Sequence, residues 1–314
     1  MGGYMLYFIV NEKSKSGNAK QIWKEIEEVL KVRNVSYQAF VSEYRGHAGK
    51  LAAEICAMDD NDICLVAVGG DGTANKVING ITDFEKVRFG VIPTGSGNDL
   101  ARGLSLSKDP KNGAIHILNA MKKSREDTWC MDLGEVNFGE KKRLFAISAG
   151  IGLDALVCKK ALKSTIKDIL NKIRLGKLTY LVLTVQSLFT MQTADAEIFF
   201  DREEGLQKKR MIFTAAMNFK AEGGGVPMAP AASACDGKLS FCEAAGIPKW
   251  RTFLCLPFLV AAKHTSIHGF SVTDAKDCTI RLSRPMVVHA DGEYCGEVTE
   301  VHFHCLPGKL RVLK

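Results

Sequence analysis

Several features common in other protein classes are missing from this 314-residue sequence. Its ten cysteines are scattered without a C-x-x-C pair, so we predict reduced core thiols in a cytoplasmic protein. No apolar run reaches the roughly 20 residues of a membrane-spanning helix, and residues 253–262 come closest at about half that length. The N-terminus lacks a basic region followed by a long apolar run, so no secretory signal is expected.

The familiar nucleotide-binding motifs are also absent. Each Gly-Lys pair is followed by Leu, which excludes G-x-x-x-x-G-K-[ST], and no G-x-G-x-x-G follows a predicted strand. The net charge of +7 suits nucleotides, anionic lipids or nucleic acid equally well. Because the basic residues are not interleaved with aromatic ones, nucleic acid is not an expected partner.

What is present is a glycine-rich joint, GGDGTAN, at residues 69–75. The apolar run 63–68 predicts a buried strand before it, and Thr73 is the predicted N-cap of the helix after it. Glycines at such a joint let backbone N–H groups approach a ligand, and the helix dipole favours phosphate there. The carboxylate of Asp71 would repel a bound phosphate unless it holds a metal, orients a hydroxyl of the ligand or acts as a base. The alternative to a phosphate site is an ordinary Asp-Gly turn between the strand and the helix.

Two further loops of this type follow predicted strands, at residues 11–18 and 93–99 (PTGSGND). Strands and helices alternate up to residue 127, which predicts a parallel sheet with all three loops at its carboxyl edge. Asp99, with Asn98 and Arg102, is expected to brace these loops.

After residue 127 the apolar segments read mostly as strands. The strands are predicted at residues 144–149, 196–200, 211–217, 239–243, 279–282 and 286–289. Two helical stretches, 155–191 and 249–262, could each lie on a membrane surface or pack onto the β domain.

GGDGT, V-I-N-G at residues 77–80 and PTGSGNDLAR together resemble the diacylglycerol kinase catalytic-domain family of bacterial lipid kinases, and the resemblance covers nearly the whole chain. The family is related to sphingosine kinases and to the phosphofructokinase and NAD-kinase superfamily. It implies an α/β fold, with a Rossmann-like three-layer ATP-binding domain at residues 1–127. A β-sandwich-type lipid-substrate domain follows at 128–302, with the site in the cleft between the two, and residues 303–314 return to the first domain.

The resemblance also implies the residues that contact the nucleotide. They are Asn11, Ser14, Ser16, Gly17, Ser42, Gly69, Gly70, Asp71, Gly72, Thr73, Ala74, Asn75 and Ser96. The first loop departs from the family's N-P-x-S-G through Glu12 and an inserted Lys15-Ser16, so either Ser14 or Ser16 faces the phosphate.

Magnesium ligands are implied at Ser233, Asp236 and the main-chain carbonyl of Lys238, where oxygen donors suit a hard cation. Cys235 replaces the usual Asn or Asp and reduces the charge. A plain Asp-Gly β-turn is the alternative.

The late D-G-E at residues 291–293 resembles the family's catalytic segment. We assign Glu293 as general base for the lipid hydroxyl and Asp71 to Mg²⁺ and ATP, while Asp71 remains the other candidate for the base. Asp291-Gly292 could instead be only a hairpin turn. His289, His302 and His304 are interpreted as core or strand-surface histidines and not as metal ligands.

The predicted function is therefore an ATP- and Mg²⁺-dependent lipid kinase that converts diacylglycerol to phosphatidic acid. The alternatives are another lipid acceptor such as a sphingoid base or phosphatidylglycerol, a soluble acceptor such as NAD, or a nucleotide- or lipid-binding regulator. A peripheral membrane location is also expected. The sequence leaves the oligomeric state open, and a homodimer that pairs through an exposed sheet edge of the β domain is one alternative.

Overall fold

The computed structural model describes residues 5–14, 19–163, 176–201 and 204–314, and Ser16 and Gly17 therefore lie outside the described residues. The chain divides into two compact units. Unit 1 comprises residues 1–132 and 307–314, and unit 2 comprises residues 133–306. Among the described helices, none combines the length and the apolar content that crossing a membrane requires.

Unit 1 is built from alternating strands and helices. In chain order they are β1 (Met5–Val10), α1 (Ala19–Val32), β2 (Gln38–Val41), α2 (His47–Cys56), β3 (Ile63–Gly69), α3 (Asp71–Gly80), β4 (Val87–Pro93), α4 (Asp99–Gly103) and α5 (Pro110–Ala120). The strands pair in parallel in the order β2-β1-β3-β4. The predicted parallel sheet is confirmed.

Helices cover both faces of this sheet. Leu6, Phe8 and Val10 alternate along β1 and pack with residues of α1 and α5, including Trp23 and Ile117. The residues between them on β1 are also buried, and helices α2 and α3 pack on each other and against β1 and β3. The α/β three-layer class predicted for this part of the chain is therefore confirmed.

From residue 129 onward most elements are strands. They are β5 (Trp129–Phe138), β6 (Lys141–Phe145), β7 (Ser148–Gly152), α6 (Leu153–Lys163), α7 (Gly176–Thr190), β8 (Ala194–Phe200), β9 (Leu206–Met211), β10 (Phe213–Met217), β11 (Leu239–Ala244), α8 (Lys249–Val260), β12 (Phe270–Ala275), β13 (Asp277–Ala290) and β14 (Glu293–Val312). Within unit 2, β12, β11, β10, β7, β13 and β14 pair antiparallel in that order. The end of β14 lies in unit 1 and pairs in parallel with β4.

Several strand predictions were wrong in their extent. The segment 211–217 is not one strand, because it contains the last residue of β9 and the whole of β10. The segment 144–149 is not one strand, because the N–H groups of Ala146 and Ile147 turn away to donate to the carboxylate of Asp291. The segments 279–282 and 286–289 belong to the single strand β13, whose register shifts between Arg281 and Met286. Such a shift lets a strand continue past a local irregularity.

The predicted helical stretch 155–191 contains two described helices, α6 and α7, and residues 164–175 lie outside the described residues. The second stretch ends at Val260 and not at residue 262. The sequence did not reveal α5, β5, β9, β12 and β14.

All ten cysteines are free, as predicted. Burial raises the pKa of the Cys64 thiol to about 12 and that of Cys295 to about 11. The prediction of core thiols was wrong for Cys235, which lies in an exposed turn, whereas the other nine are buried or partly buried.

Candidate functional site

The loops after β3 and β4 touch through their glycines. The N–H of Thr94 donates to the carbonyl of Gly69 (2.8 Å). A Cβ added at Gly95 would lie 2.7 Å from the Cα of Gly70, closer than real Cβ contacts allow. Glycine is therefore required here by the close approach of two backbones.

The loop after β1 joins the same group. The N–H of Asn11 donates to the carbonyl of Val68 (2.9 Å), and its side-chain amide donates to the hydroxyl of Thr73 (2.9 Å). The hydroxyls of Ser14 and Thr94 are hydrogen-bonded to each other. We call residues 11–14, 69–75 and 94–98 the phosphate-loop cluster. It contains ten of the predicted nucleotide contacts, namely Asn11, Ser14, Gly69, Gly70, Asp71, Gly72, Thr73, Ala74, Asn75 and Ser96.

The predicted N-cap of helix α3 was wrong by three residues. The helix begins at Asp71, with an extended Gly70 as its N-cap and no side-chain cap. Thr73 lies inside the first turn, because the N–H groups of Thr73 and Ala74 both donate to the carbonyl of Gly70 (2.9 and 3.1 Å). The positive end of the helix dipole thus lies directly at the glycine joint.

The remaining residues of the predicted nucleotide set differ in exposure. Ala74 and Asn75 have buried side chains, whereas Ser96 is exposed at the tip of its loop. Ser42 is buried after β2, and its N–H donates to the carbonyl of Val10 (2.8 Å). Ser96 is therefore the predicted contact that a ligand can reach most directly.

Asp71 links the cluster to α4. Its two carboxylate oxygens accept hydrogen bonds from the N–H groups of Asp99 and Leu100, both at 3.0 Å. A carboxylate at a helix N-terminus satisfies N–H groups that lack partners within the helix and interacts favourably with the dipole. Asp71 is thus a brace in this structure, a role that the sequence analysis gave only to its neighbours.

Those neighbours also brace the loop, as predicted. Asn98 accepts from the N–H of Gly95 and donates to its carbonyl, both at 2.9 Å. Arg102 donates to the carbonyl of Gly97 (2.9 Å) and pairs with Asp99. The exposed Ser96 is therefore carried by a loop that is fixed on both sides.

In unit 2, Asp291 and Gly292 form the two-residue turn between β13 and β14. Both have positive φ, 47° and 78°, as a type I′ hairpin turn requires. The Asp291 carboxylate accepts from the N–H groups of Ala146, Ile147 and Ser148 at 2.8 to 3.1 Å. The hairpin-turn alternative describes Asp291-Gly292 correctly, and it leaves Glu293, partly exposed, as the first residue of β14.

His289 supports this turn from inside. The N–H of Gly292 donates to Nδ1 of His289 (3.2 Å), so the proton of the neutral ring is assigned to Nε2, which donates to Asp154 Oδ2 (3.0 Å). The ring is buried, in agreement with its interpretation as a core histidine. A Cβ at Gly150 would lie 1.8 Å from the Asp154 oxygen, so glycine makes room for this pair.

The pKa of His289 reflects two opposing effects. Burial disfavours the charged ring, but the hydrogen bond with Asp154 and the negative charges of the surrounding carboxylates outweigh it and raise the pKa above its ordinary value. Those carboxylates belong to Asp154, Glu222 and Asp291.

Asp154, Glu222 and His289 place their ligand atoms within 4.8 Å of one another, a spacing at which three side chains could hold a metal. The tautomer argues against this role. A metal would need the Nε2 lone pair of His289, but that nitrogen carries the proton because Nδ1 accepts from Gly292. Glu222 in turn accepts from the hydroxyl of Ser148. The group therefore fits a hydrogen-bonded support for the turn. Sequence reasoning missed Asp154 and Glu222, because no local motif marks them.

The predicted magnesium ligands lie in one exposed turn before β11. The Asp236 carboxylate accepts from the N–H of Lys238 (3.1 Å), and Gly237 has a φ of 76°. The Ser233 hydroxyl lies 3.5 Å from the Cys235 thiol. One carboxylate, one hydroxyl and one carbonyl from a single turn are donors that fit a hard cation.

His302 and His304 are partly exposed on β14 and both lie against Asp277. This agrees with their interpretation as strand-surface histidines.

Comparison with known proteins places these motifs in a family. Residues 5–131 match the diacylglycerol kinase catalytic domain, and residues 148–314 match the YegS C-terminal NAD kinase beta sandwich-like domain. The second match confirms the predicted β-sandwich-type class of the second half.

Three similar proteins from Bacillus species show the extent of the match. YtlR of Bacillus subtilis (strain 168), to which lipid kinase activity has been ascribed, is 29% identical over 98% of each chain. A diacylglycerol kinase of the same strain is 27% identical over 78% of this chain and 75% of its own. A crystal structure described as a diacylglycerol kinase from Bacillus anthracis str. Sterne has a TM-score of 0.77 and 21% identity, covering 98% of this chain and 97% of that one, which shows a shared fold. The chain belongs to the diacylglycerol kinase catalytic-domain family, in which that domain is followed by an NAD kinase-like β-sandwich domain.

Proposed function

We propose that this protein transfers the γ-phosphoryl group of ATP to the hydroxyl of a membrane lipid, with diacylglycerol as the acceptor and phosphatidic acid as the product. The observation that carries the proposal is the phosphate-loop cluster. Three glycine- and hydroxyl-rich loops meet at the carboxyl edge of a parallel sheet, next to the start of α3, in a chain of a kinase family. This is where open α/β sheets bind ligands.

In this proposal the cluster holds the phosphates of ATP, which supplies the transferable phosphoryl group. Backbone N–H groups at Gly70 to Gly72 and the dipole of α3 attract the anionic phosphates. The hydroxyls of Ser14 and Ser96 add hydrogen bonds. Buried Asn75 and braced Asn98 keep the loops in place before the ligand arrives, which reduces the entropy lost on binding.

Glu293 is proposed as the general base. An alcohol holds its proton tightly at neutral pH, so a positioned carboxylate must accept that proton as the new O–P bond forms. The adjacent turn is fixed by the Asp291 carboxylate and by His289, which limits the positions that the Glu293 backbone can adopt. Diacylglycerol is the proposed acceptor because the matched catalytic domain and a similar protein carry that name.

Mg²⁺ is the proposed cofactor, and it would screen the charge of the phosphate oxygens. Ser233, Asp236 and the carbonyl of Lys238 offer one set of oxygen donors. Asp71 offers a carboxylate within the phosphate-loop cluster.

The test is transfer of labelled phosphate from γ-labelled ATP to mixed micelles of diacylglycerol, monoacylglycerol, sphingosine, ceramide or phosphatidylglycerol, with NAD as a soluble acceptor. Wild type should label diacylglycerol, and Glu293→Gln should lower the rate about 10²- to 10⁴-fold. Glu300→Gln, an exposed acid on the same strand, is the matched control and should retain the rate.

Each other outcome changes the proposal in a defined way. Label on another lipid would correct the acceptor, and label on NAD alone would remove the lipid. If no acceptor were labelled although ATP bound, a regulatory binding role would replace the kinase.

A further inference from the structure

Helix α8 carries apolar residues on the side that faces solvent. Its buried side consists of Thr252, Cys255 and Leu259. On the opposite side, Trp250, Leu254 and Phe258 are 60%, 57% and 49% exposed. These three residues are spaced four apart and form one continuous stripe. A helix on a protein surface normally presents charged or polar side chains to water, so this stripe is unusual.

The exposed apolar surface continues beyond the stripe. Phe253 and Val260 are also exposed on α8, and Phe189 at the end of α7 is 53% exposed. The rings of Phe189 and Phe253 lie 6.1 Å apart, and the Lys249 ammonium donates to the carbonyls of Phe189 and Met191. We call Phe189, Trp250, Phe253, Leu254, Phe258 and Val260 the apolar patch.

The two chain segments that contain the apolar patch carry charged residues of one sign only. The sequence contains no Asp or Glu between Glu243 and Asp274, and none between Asp168 and Asp195. These two acid-free segments include all six residues of the patch. Arg251 on α8 and Lys263 beyond its end are exposed. The segments that form the patch therefore offer cations and no carboxylates of their own.

An anionic bilayer surface fits these features better than a second copy of the chain. Aromatic residues, Trp above all, are favoured at the boundary between lipid headgroups and acyl chains. Lys and Arg beside an apolar helix face attract anionic lipids. In a symmetric dimer through this face, both copies would contribute cations and no carboxylates from these segments, so the segments would form no ion pairs with each other. Helix α8 would be only about 18 Å long against a hydrocarbon thickness of about 30 Å, so it would lie in the interface and not span it.

We propose that the apolar patch is the surface through which this protein docks on an anionic phospholipid bilayer, with α8 in the plane of the interface. This docking role rests on the proposed lipid kinase function, because a kinase with a lipid acceptor must reach a membrane. Docking itself involves no turnover and can be measured without ATP or acceptor lipid.

The experiment is co-sedimentation of the full chain with vesicles of phosphatidylcholine containing phosphatidylserine, and with vesicles of phosphatidylcholine alone. Wild type should bind the anionic vesicles, and binding should fall as salt rises. The triple variant Trp250→Gln, Leu254→Gln, Phe258→Gln should bind at least about tenfold more weakly, because each replaced side chain loses apolar area that lipid would cover. Its three positions are exposed, so its thermal unfolding should match that of wild type.

Two further variants make the test specific. Val32→Gln removes an 87% exposed apolar side chain from α1 and should leave vesicle binding unchanged. Trp250→Phe should keep binding but remove the vesicle-induced change in tryptophan fluorescence, since the other two tryptophans, Trp23 and Trp129, are outside the patch. Arg251→Glu with Lys263→Glu should reduce binding to the anionic vesicles.

Equal vesicle binding by wild type and the triple variant would overturn the proposal. A wild-type dimer in analytical ultracentrifugation that the triple variant abolishes would assign the apolar patch to a second copy instead. Because no ATP or acceptor is present, neither result bears on phosphoryl transfer. Conversely, Glu293→Gln should bind the anionic vesicles as wild type does, even if no acceptor is labelled in the kinase assay.

Discussion

Asp71 and Asp291 are two aspartates beside glycines, and the protein uses both to hold a second segment of backbone. Asp71 accepts from two N–H groups at the start of α4, and Asp291 accepts from three N–H groups at residues 146–148, between the end of β6 and the first residue of β7. They differ in the sequence separation from their partners, which is 28 and 29 residues for Asp71 and 143 to 145 residues for Asp291. An acid in a glycine-rich motif can thus be structural even where the motif suggests chemistry.

The largest expected effect is loss of stability in Asp291→Ala. This change leaves the N–H groups of residues 146–148 without their acceptor, and Ala146, Ile147 and Ser148 are buried. We expect the free energy of unfolding to fall by about 3–5 kcal/mol, measured by urea denaturation. Asp291→Asn keeps one acceptor oxygen and should lose less. Equal stability of wild type and the Ala variant would contradict a stabilising role of the bonds from residues 146–148 to Asp291.

The second prediction separates bracing from chemistry at Asp71. Asp71→Ala should lower the free energy of unfolding by about 2–3 kcal/mol, because two N–H groups of α4 lose a charged acceptor. Asp71→Asn should cost about 1 kcal/mol and still lower phosphoryl transfer at least about 10²-fold, since the amide binds Mg²⁺ poorly.

Urea denaturation and the labelled-phosphate assay on the same Asp71→Asn preparation check this. Retention of wild-type transfer by that variant would leave Asp71 with its bracing role alone.

A smaller effect is expected where the two loops touch. Gly95→Ala brings a Cβ against the Gly70 backbone, which must shift, so we expect a cost of about 1–3 kcal/mol and a raised KM for ATP. The matched control is Gly113→Ala within α5, where the nearest atom to the added Cβ would be 3.6 Å away. That change should stabilise the protein by about 0.4–1 kcal/mol, because alanine favours the helix. A Gly95 variant as stable as the Gly113 variant would show that the loops can separate freely.

The smallest expected effect is a pH dependence at His289. Its raised pKa means that the folded state binds the proton more tightly than the unfolded state does, so the associated stability is fully present below the unfolded pKa and is lost as pH rises through the folded one. The stability advantage of wild type over His289→Asn should therefore grow from pH 8 to pH 6.

Protonation of His289 should lower the kinase activity, although it raises the stability. A proton on Nδ1 displaces the N–H of Gly292 and disturbs the turn before Glu293. Parallel unfolding and kinase measurements from pH 8 to pH 6 check both signs. A stability advantage that shrinks on acidification would show that the bond from Gly292 outweighs the surrounding carboxylates.

The sequence predicted the phosphate-loop cluster because each of its parts is local. A buried strand, a glycine loop and an amphipathic helix follow one another within about 20 residues, and a parallel sheet brings such loops to one edge. The start of α3 was missed because Thr73 is a good N-cap by type, whereas the extended Gly70 fills that position without a side chain. Backbone conformation decided this boundary, and residue type did not reveal it.

The support of the D-G-E turn could not be predicted in the same way. Asp154 pairs with His289 across 135 residues, and no spacing rule relates positions so far apart. The break between β6 and β7 depends on Asp291, which is equally distant. In an antiparallel sheet with long connections, the order of the strands decides which residues meet. That order cannot be predicted from any single segment of the sequence.

The ten cysteines differ in exposure, so the native chain offers a position for a fluorescent label. A maleimide dye reacts with the accessible thiolate, and Cys235 is the one exposed cysteine among the ten, all of which lie in described residues. Cys235 stands between Ser233 and Asp236. A fluorophore attached to Cys235 would therefore lie beside the proposed cation donors, and its emission would report on a cation that enters this turn.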